Sequence, residues 1–86
     1  MKKVLYFSTT WCGPCKTFKP IVQQVAQETG IPVTYLDADQ DQEMAKKYNI
    51  NSVPTIVIVD GAGIILYRNA GVMQKGQLSQ LLRAIG

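Results

Sequence analysis

Residues 4–16 read VLYFSTTWCGPCK. Val4–Ser8 is a short apolar run of β-prone residues, the pattern of a buried strand. Pro14 then opens a helical pattern that reaches about Thr29. Proline suits a first helical turn because the N–H it lacks would be unpaired there anyway. Phe18, Val22, Val25 and Thr29 recur at helical spacing and define one buried face. Pro20 lies inside this helix and is expected to kink it. Gly30 can close the helix with a left-handed residue, and Pro32 stops its continuation.

Working outward, Val33–Asp37 reads as a second strand. Asp39 or Asp41 can cap a second helix over roughly Gln42–Tyr48. Acids at its start and Lys46 and Lys47 at its end suit the helix dipole. Asn49 is a plausible left-handed stop. The stretch NSVPTIVIVDGAGIILYRN (51–69) holds two β-branched-rich strands, Thr55–Val59 and Ile64–Tyr67. Asp60-Gly61-Ala62-Gly63 joins them as a hairpin. Leu78, Leu81, Leu82 and Ile85 mark one face of a C-terminal helix whose start is poorly signalled, since Gln74 and Lys75 are weak caps.

The order is β-α-β, then α-β-β-α. A helix between the first two strands implies a parallel pair with a right-handed crossover. The hairpin adds an antiparallel pair. The expected fold class is α/β, a four-stranded mixed sheet with helices on both faces. The 86 residues read as one domain, and a 47% hydrophobic composition with 17% charged residues is enough for a core.

Composition also excludes classes. The net charge of +3 rests partly on Lys2, Lys3, Lys16 and Lys19, which read as a solvated face. No basic run or nucleic-acid motif is present, so nucleic acid is not an expected partner. Lys2 and Lys3 resemble the charged start of an export signal, but the apolar run behind them is far shorter than the roughly 7–15 residues such a signal needs. No apolar stretch reaches membrane-spanning length. The expectation is a soluble, cytoplasmic monomer with no membrane contact.

Cys12 and Cys15 are the chain's two cysteines, and it has no histidine. Three uses are open: a structural staple, half of a metal clamp, or a pair that makes and breaks disulfides. A staple across so short a loop constrains little unfolded-chain entropy. A zinc site usually wants four soft ligands. For exchange chemistry the placement is apt. Residues three apart on a helix share a face, so the sulfurs can bond. The first turn offers unpaired N–H groups and the positive dipole end, both of which stabilise a thiolate. Cys12 is thus expected to be the exposed, lower-pKa nucleophile and Cys15 the shielded thiol that acts second.

Magnitudes say where the rate comes from. Lowering a thiol pKa from ~8.5 to ~7 raises the thiolate fraction at pH 7 from about 3% to about half. A Brønsted slope near ~0.5 takes back about sixfold in nucleophilicity, leaving roughly threefold. Placement of the second thiol, through a high effective molarity, supplies the rest.

WCGPC followed by Lys16, then Pro20, VPT at 53–55 and GQLSQLL at 76–82 together resemble the thioredoxin family over nearly the whole chain. The resemblance implies a thiol–disulfide oxidoreductase that reduces protein disulfides, with a thioredoxin-reductase-type electron donor and no cofactor beyond a redox-active Cys12–Cys15 disulfide. It implies Cys12 as the attacking thiol and Cys15 as the resolving one. Trp11, Gly13 and Pro14 would form the site's rim. Pro54 would be a cis-proline, Val53 would offer backbone hydrogen bonds to an extended substrate segment, and Gly71 would leave that segment room. Lys16 would tune the site electrostatically.

Two departures stand out. The chain is expected to be a short form without the family's leading strand and helix. Six residues before the first cysteine, where the family usually buries an aspartate thought to help deprotonate the resolving thiol, stands Tyr6. The nearby family lysine aligns with Tyr35. A tyrosine of pKa ~10 is a poor base at neutral pH. Rival readings are a glutaredoxin-like, glutathione-dependent reductase, which the size permits, and a binding subunit of a larger assembly.

Overall fold

In the computed structural model, which describes residues 1–85, three helices pack against a single sheet. The order is β1 (Lys3–Ser8), α1 (Gly13–Thr29), β2 (Val33–Asp37), α2 (Gln42–Lys47), β3 (Thr55–Val59), β4 (Ile65–Ala70) and α3 (Lys75–Ile85). The sheet runs β2-β1-β3-β4. β1 pairs parallel with β2, placing Tyr6 beside Tyr35, and antiparallel with β3, placing Tyr6 beside Ile56. β3 and β4 form the expected antiparallel hairpin, with a register irregularity at Ile58 and Val59.

Alternation along the central strands makes two cores. Val4 and Tyr6 of β1 and Ile56 and Ile58 of β3 face Phe18, Val22 and Val25 of α1 and Leu78 and Leu82 of α3. Leu5, Phe7, Val57 and Val59 point the other way, where Tyr48 joins them and Met44 and Ala45 of α2 pack alongside. Successive strand side chains point to opposite faces, so two runs buried throughout need cover on both sides. The mixed sheet with helices on both faces is what the sequence pattern implied.

Several boundaries and details differ from the sequence reading. As expected, α1 runs to Thr29 with Pro20 inside it, on its exposed face; the carbonyl that loses its intrahelical partner there can turn to water. Thr29 is half-buried, and its hydroxyl donates to the Val25 carbonyl at 2.8 Å instead of packing with the core. Gly30 closes the helix as expected, at φ 73°, with its N–H on the Ala26 carbonyl at 2.9 Å. α2 ends at Lys47, with Asp41 before its first residue and Asn49 beyond it at φ 55°.

β4 begins one residue later than expected and extends to Ala70. Arg68, Asn69 and Ala70 break the apolar run, but as an edge strand β4 needs only backbone pairing with β3 to continue, and Thr55 and Ala70 are partners. The start of α3 has a signal after all. The side chain of Gln77 accepts the Gln74 N–H at 3.3 Å, the half of a capping box that reaches back to the residue before the helix.

Candidate functional site

The C-terminal end of β1 delivers the chain straight into α1, so the cysteines sit where strand becomes helix. Cys12 is the cap residue, in extended backbone at φ −80° and ψ 108°. Its Sγ accepts the Cys15 backbone N–H at 3.2 Å, and its own N–H reaches back to the Thr9 carbonyl at 3.3 Å. Gly13 and Pro14 open the first turn, both exposed, and proline there leaves no N–H without a partner. The two sulfurs are joined as a disulfide with Cα atoms 5.3 Å apart.

Burial corrects one expectation. Cys12 is 3% exposed and Cys15 4%, so in this oxidised state neither residue is the open one. Each sulfur covers the other once they are bonded. What separates the two is hydrogen bonding. The sulfur of Cys12 holds a helix-terminal N–H, a donor that favours a thiolate. The backbone carbonyl of Cys15 takes the Tyr6 hydroxyl at 3.1 Å.

Trp11 is 69% exposed, a rim position, and its indole N–H donates to an Asp39 carboxylate oxygen at 2.8 Å. Sequence reasoning weighed Asp39 only as a helix cap and missed this bond, which joins residues far apart in the chain. Trp11, Asp39, Val53 and Thr9 are among the residues lining a cleft of about 240 Å³. A second cleft, of about 430 Å³, is lined by Cys15, Lys16, Lys19, Tyr35 and Asp37 and again by Thr9. The buried Thr9 thus stands between the two groups of site residues. Lys16 is exposed on α1 at the second cleft.

The loop before β3 carries a cis peptide bond between Val53 and Pro54. Val53 is half-buried and Pro54 buried. The Thr55 hydroxyl donates to the Ser52 carbonyl at 2.7 Å and closes this turn, a role the sequence reading did not assign to it. Gly71 binds the other side of the turn, its N–H donating to the Pro54 carbonyl at 2.8 Å. It sits at φ 100°, which glycine adopts readily, and a Cβ built there would meet nothing within 4 Å.

Beneath the disulfide, Tyr6 is fully buried and Tyr35 is 40% exposed. Their rings meet edge-on at 5.8 Å, and the Lys19 ammonium lies 5.5 Å from the Tyr35 ring centre. Burial raises the pKa of the Tyr6 phenol above its ordinary value, and the neighbouring Tyr35 adds to this. Burial raises Tyr35 as well. Both are neutral phenols at physiological pH.

A cysteine pair capping a helix that follows directly from a central strand, beside a loop held by a cis-proline, defines a site for dithiol–disulfide exchange. The family model described as Thioredoxin matches residues 1–84, and the chain belongs to the thioredoxin family. A thioredoxin of Mycoplasmoides gallisepticum is 35% identical over 83 residues, covering 95% of this chain and 82% of that one. A bifunctional thioredoxin reductase/thioredoxin of Mycobacterium leprae is 39% identical over 57 residues, 64% of this chain and 12% of that protein. Among solved structures, a mutant thioredoxin from Halobacterium salinarum superposes with a TM-score of 0.89 at 29% identity, covering 96% of this chain and 73% of that one. The protein is a thiol–disulfide oxidoreductase. Among the described residues, no helix is long and apolar enough to cross a membrane.

Proposed function

We propose that this single domain reduces protein disulfides by a two-step exchange in which Cys12 attacks and Cys15 resolves. The observation that carries the order of attack is the Cys15 N–H held on the Cys12 sulfur at the helix start. As a thiolate, Cys12 keeps that donor and faces the positive end of α1. It attacks one sulfur of a substrate disulfide, forming a mixed disulfide and releasing the first substrate thiolate. Cys15, as thiolate, then attacks the Cys12 sulfur. The Cys12–substrate bond breaks, its electron pair leaves on the substrate sulfur, and the Cys12–Cys15 disulfide remains. Two electrons have passed to the substrate.

In this reading Trp11, Gly13, Pro14, Val53, Pro54 and Gly71 receive the substrate. Support comes from the exposed indole, from the open space at Gly71 and from the Gly71–Pro54 hydrogen bond that holds the loop. An extended peptide can lie along such a loop by backbone pairing. The electron donor is a flavin-dependent reductase of the thioredoxin-reductase type, a pairing supported by the Mycobacterium leprae relative whose name joins the two activities. A reductant of this kind suits the cytoplasm, where thiol pools keep such pairs reduced.

The test is turnover of a protein disulfide such as insulin by the intact chain and two variants. Cys12→Ser should abolish it. Cys15→Ser should stall as a covalent mixed disulfide, visible as one adduct by mass spectrometry. An adduct on Cys15 in the Cys12→Ser variant that forms at the wild-type rate would sink the assigned order. Recycling that requires glutathione and fails with a flavin-dependent reductase would sink the assigned donor.

A further inference from the structure

Two side chains bond the backbone of Cys15 among the described residues: the Cys12 sulfur accepts its N–H, and the Tyr6 hydroxyl donates to its carbonyl. Tyr6 rises from the centre of β1, where β2 and β3 both pair with its strand, so its base is held on two sides. Its ring is wedged between Phe18 of α1, at 5.9 Å, and Tyr35 of β2, at 5.8 Å. A hydroxyl so placed does not wander. It meets the carbonyl of Cys15 in the first turn of α1, where a small shift of backbone would swing the Cys15 sulfur relative to Cys12.

Among the described residues, the core cluster around Tyr6 holds no acid. The core that Tyr6 shares receives Ile56 and Ile58 from β3, Leu78 and Leu82 from α3, and Phe18, Val22 and Val25 from α1. Lys16 and Lys19 of α1 and Asp37 of β2 share with Cys15 the lining of the solvent cleft. Asp37 accepts the backbone N–H groups of Asp39 and Gln40 on one carboxylate oxygen, Oδ1, at 2.8 and 3.3 Å.

We propose that Tyr6 is a positioning residue for the resolving step: its hydroxyl, anchored on the Cys15 carbonyl, aims the Cys15 sulfur at Cys12, while the Cys15 proton leaves to solvent in the cleft between β2 and α1. The inference rests on the order of attack proposed above. The phenol itself stays protonated, since burial holds its pKa up. It therefore acts by geometry and accepts no proton. In the step itself the thiol proton passes to water, the thiolate forms the bond to Cys12, and the substrate thiolate departs.

Ellman's reagent separates the two steps in the intact chain, because attack by Cys12 releases one coloured thiolate and resolution by Cys15 a second. Tyr6→Phe keeps the ring and removes the bond. The first release should be unchanged, and the second should slow about fivefold, the scale of one neutral hydrogen bond felt wholly in the reacting geometry. The slowing should be the same from pH 6 to 9, with a single thiol ionisation in the profile of each protein. 3-Fluorotyrosine at position 6 preserves packing and donates more strongly, so at pH 7 its second release should be at least as fast as the wild type's. This arm stands even if Tyr6→Phe folds poorly. Tyr48→Phe, on the opposite face of the sheet, should alter neither release.

Equal slowing of both releases in Tyr6→Phe, or no slowing of the second, would overturn the positioning role. A carboxylate-like ionisation of the second release that vanishes in Asp37→Asn would overturn the solvent route. If Cys12→Ser still gave its first release at the wild-type rate, the failure would lie in the order of attack and not in Tyr6.

Discussion

Trp11 and Asp39 are locked together across the site, indole N–H to carboxylate at 2.8 Å, although 28 positions separate them. The bond ties the residue preceding Cys12 to the loop after β2. Trp11 is the chain's one tryptophan, so its fluorescence reports this contact directly. Asp39→Ala frees the indole. Its emission should change, and KM for a protein disulfide should rise a few-fold while the reaction of Cys12 with Ellman's reagent stays within about twofold, because the small reagent does not need the rim. The stability cost of losing one exposed, charge-assisted bond is about 1 kcal/mol. Unchanged fluorescence and KM would mean that the contact has no part in binding.

Gly71 tests the substrate surface. Alanine at φ 100° costs about 1–2 kcal/mol of backbone strain, but its Cβ enters open space. Gly71→Ala should thus unfold at slightly lower denaturant yet keep its reaction with Ellman's reagent. Gly71→Val projects a branched side chain into the space assigned to the substrate segment. It should slow reduction of insulin at least tenfold more than it slows the small reagent. Parallel losses with both reagents would count against a peptide lying there.

The tyrosine pair predicts a loss of stability in alkali. Both phenols have folded-state pKa values raised above the ordinary 10.0, chiefly by burial. Below pH 10 folded and unfolded chains are equally protonated at these groups, and they contribute no slope. Above it the unfolded chain loses protons that the folded chain keeps, so stability falls as pH rises towards the folded-state pKa. Denaturant titrations at pH 8 to 11 should show wild type losing stability faster than Tyr6→Phe. Parallel curves would show that Tyr6 ionises freely in the folded state.

Phe18 tests the core behind the site. Fully buried, it packs on Tyr6 and shares a cluster with Val22, Leu78 and Leu82. Phe18→Ala should cost about 3–5 kcal/mol. Small domains hold only about 5–15 kcal/mol in all. The denaturation midpoint should fall steeply with little change in slope. A midpoint shift equivalent to under 1 kcal/mol would mean that α1 is held to the sheet by something other than this ring.

Much of the molecule was legible in its sequence because the signals are local. A five-residue apolar run, a proline at a first turn, apolar positions at helical spacing and a glycine at φ 73° act within a few residues of themselves, and β1, α1, β2 and β3 lie where those signals put them. Cys12 and Cys15 are likewise three residues apart, and helix geometry alone brings them together. The strand order, with β1 between β2 and β3, was not local, yet buried runs and a crossover helix leave few alternatives.

Other features belong to the tertiary structure alone. The reach of Tyr6 to the Cys15 carbonyl, the Trp11–Asp39 bond, the Gly71 N–H on Pro54 and the burial of Cys12 each join groups that only folding makes neighbours. The last residues of β4 pair because a partner strand is present, not because their side chains favour a strand. Sequence alone determined that this chain carries a helix-capping dithiol on a mixed sheet. Only the fold decided what lies beneath that dithiol, because hydrogen bonds and desolvation depend on distance in space, which spacing along the chain does not encode.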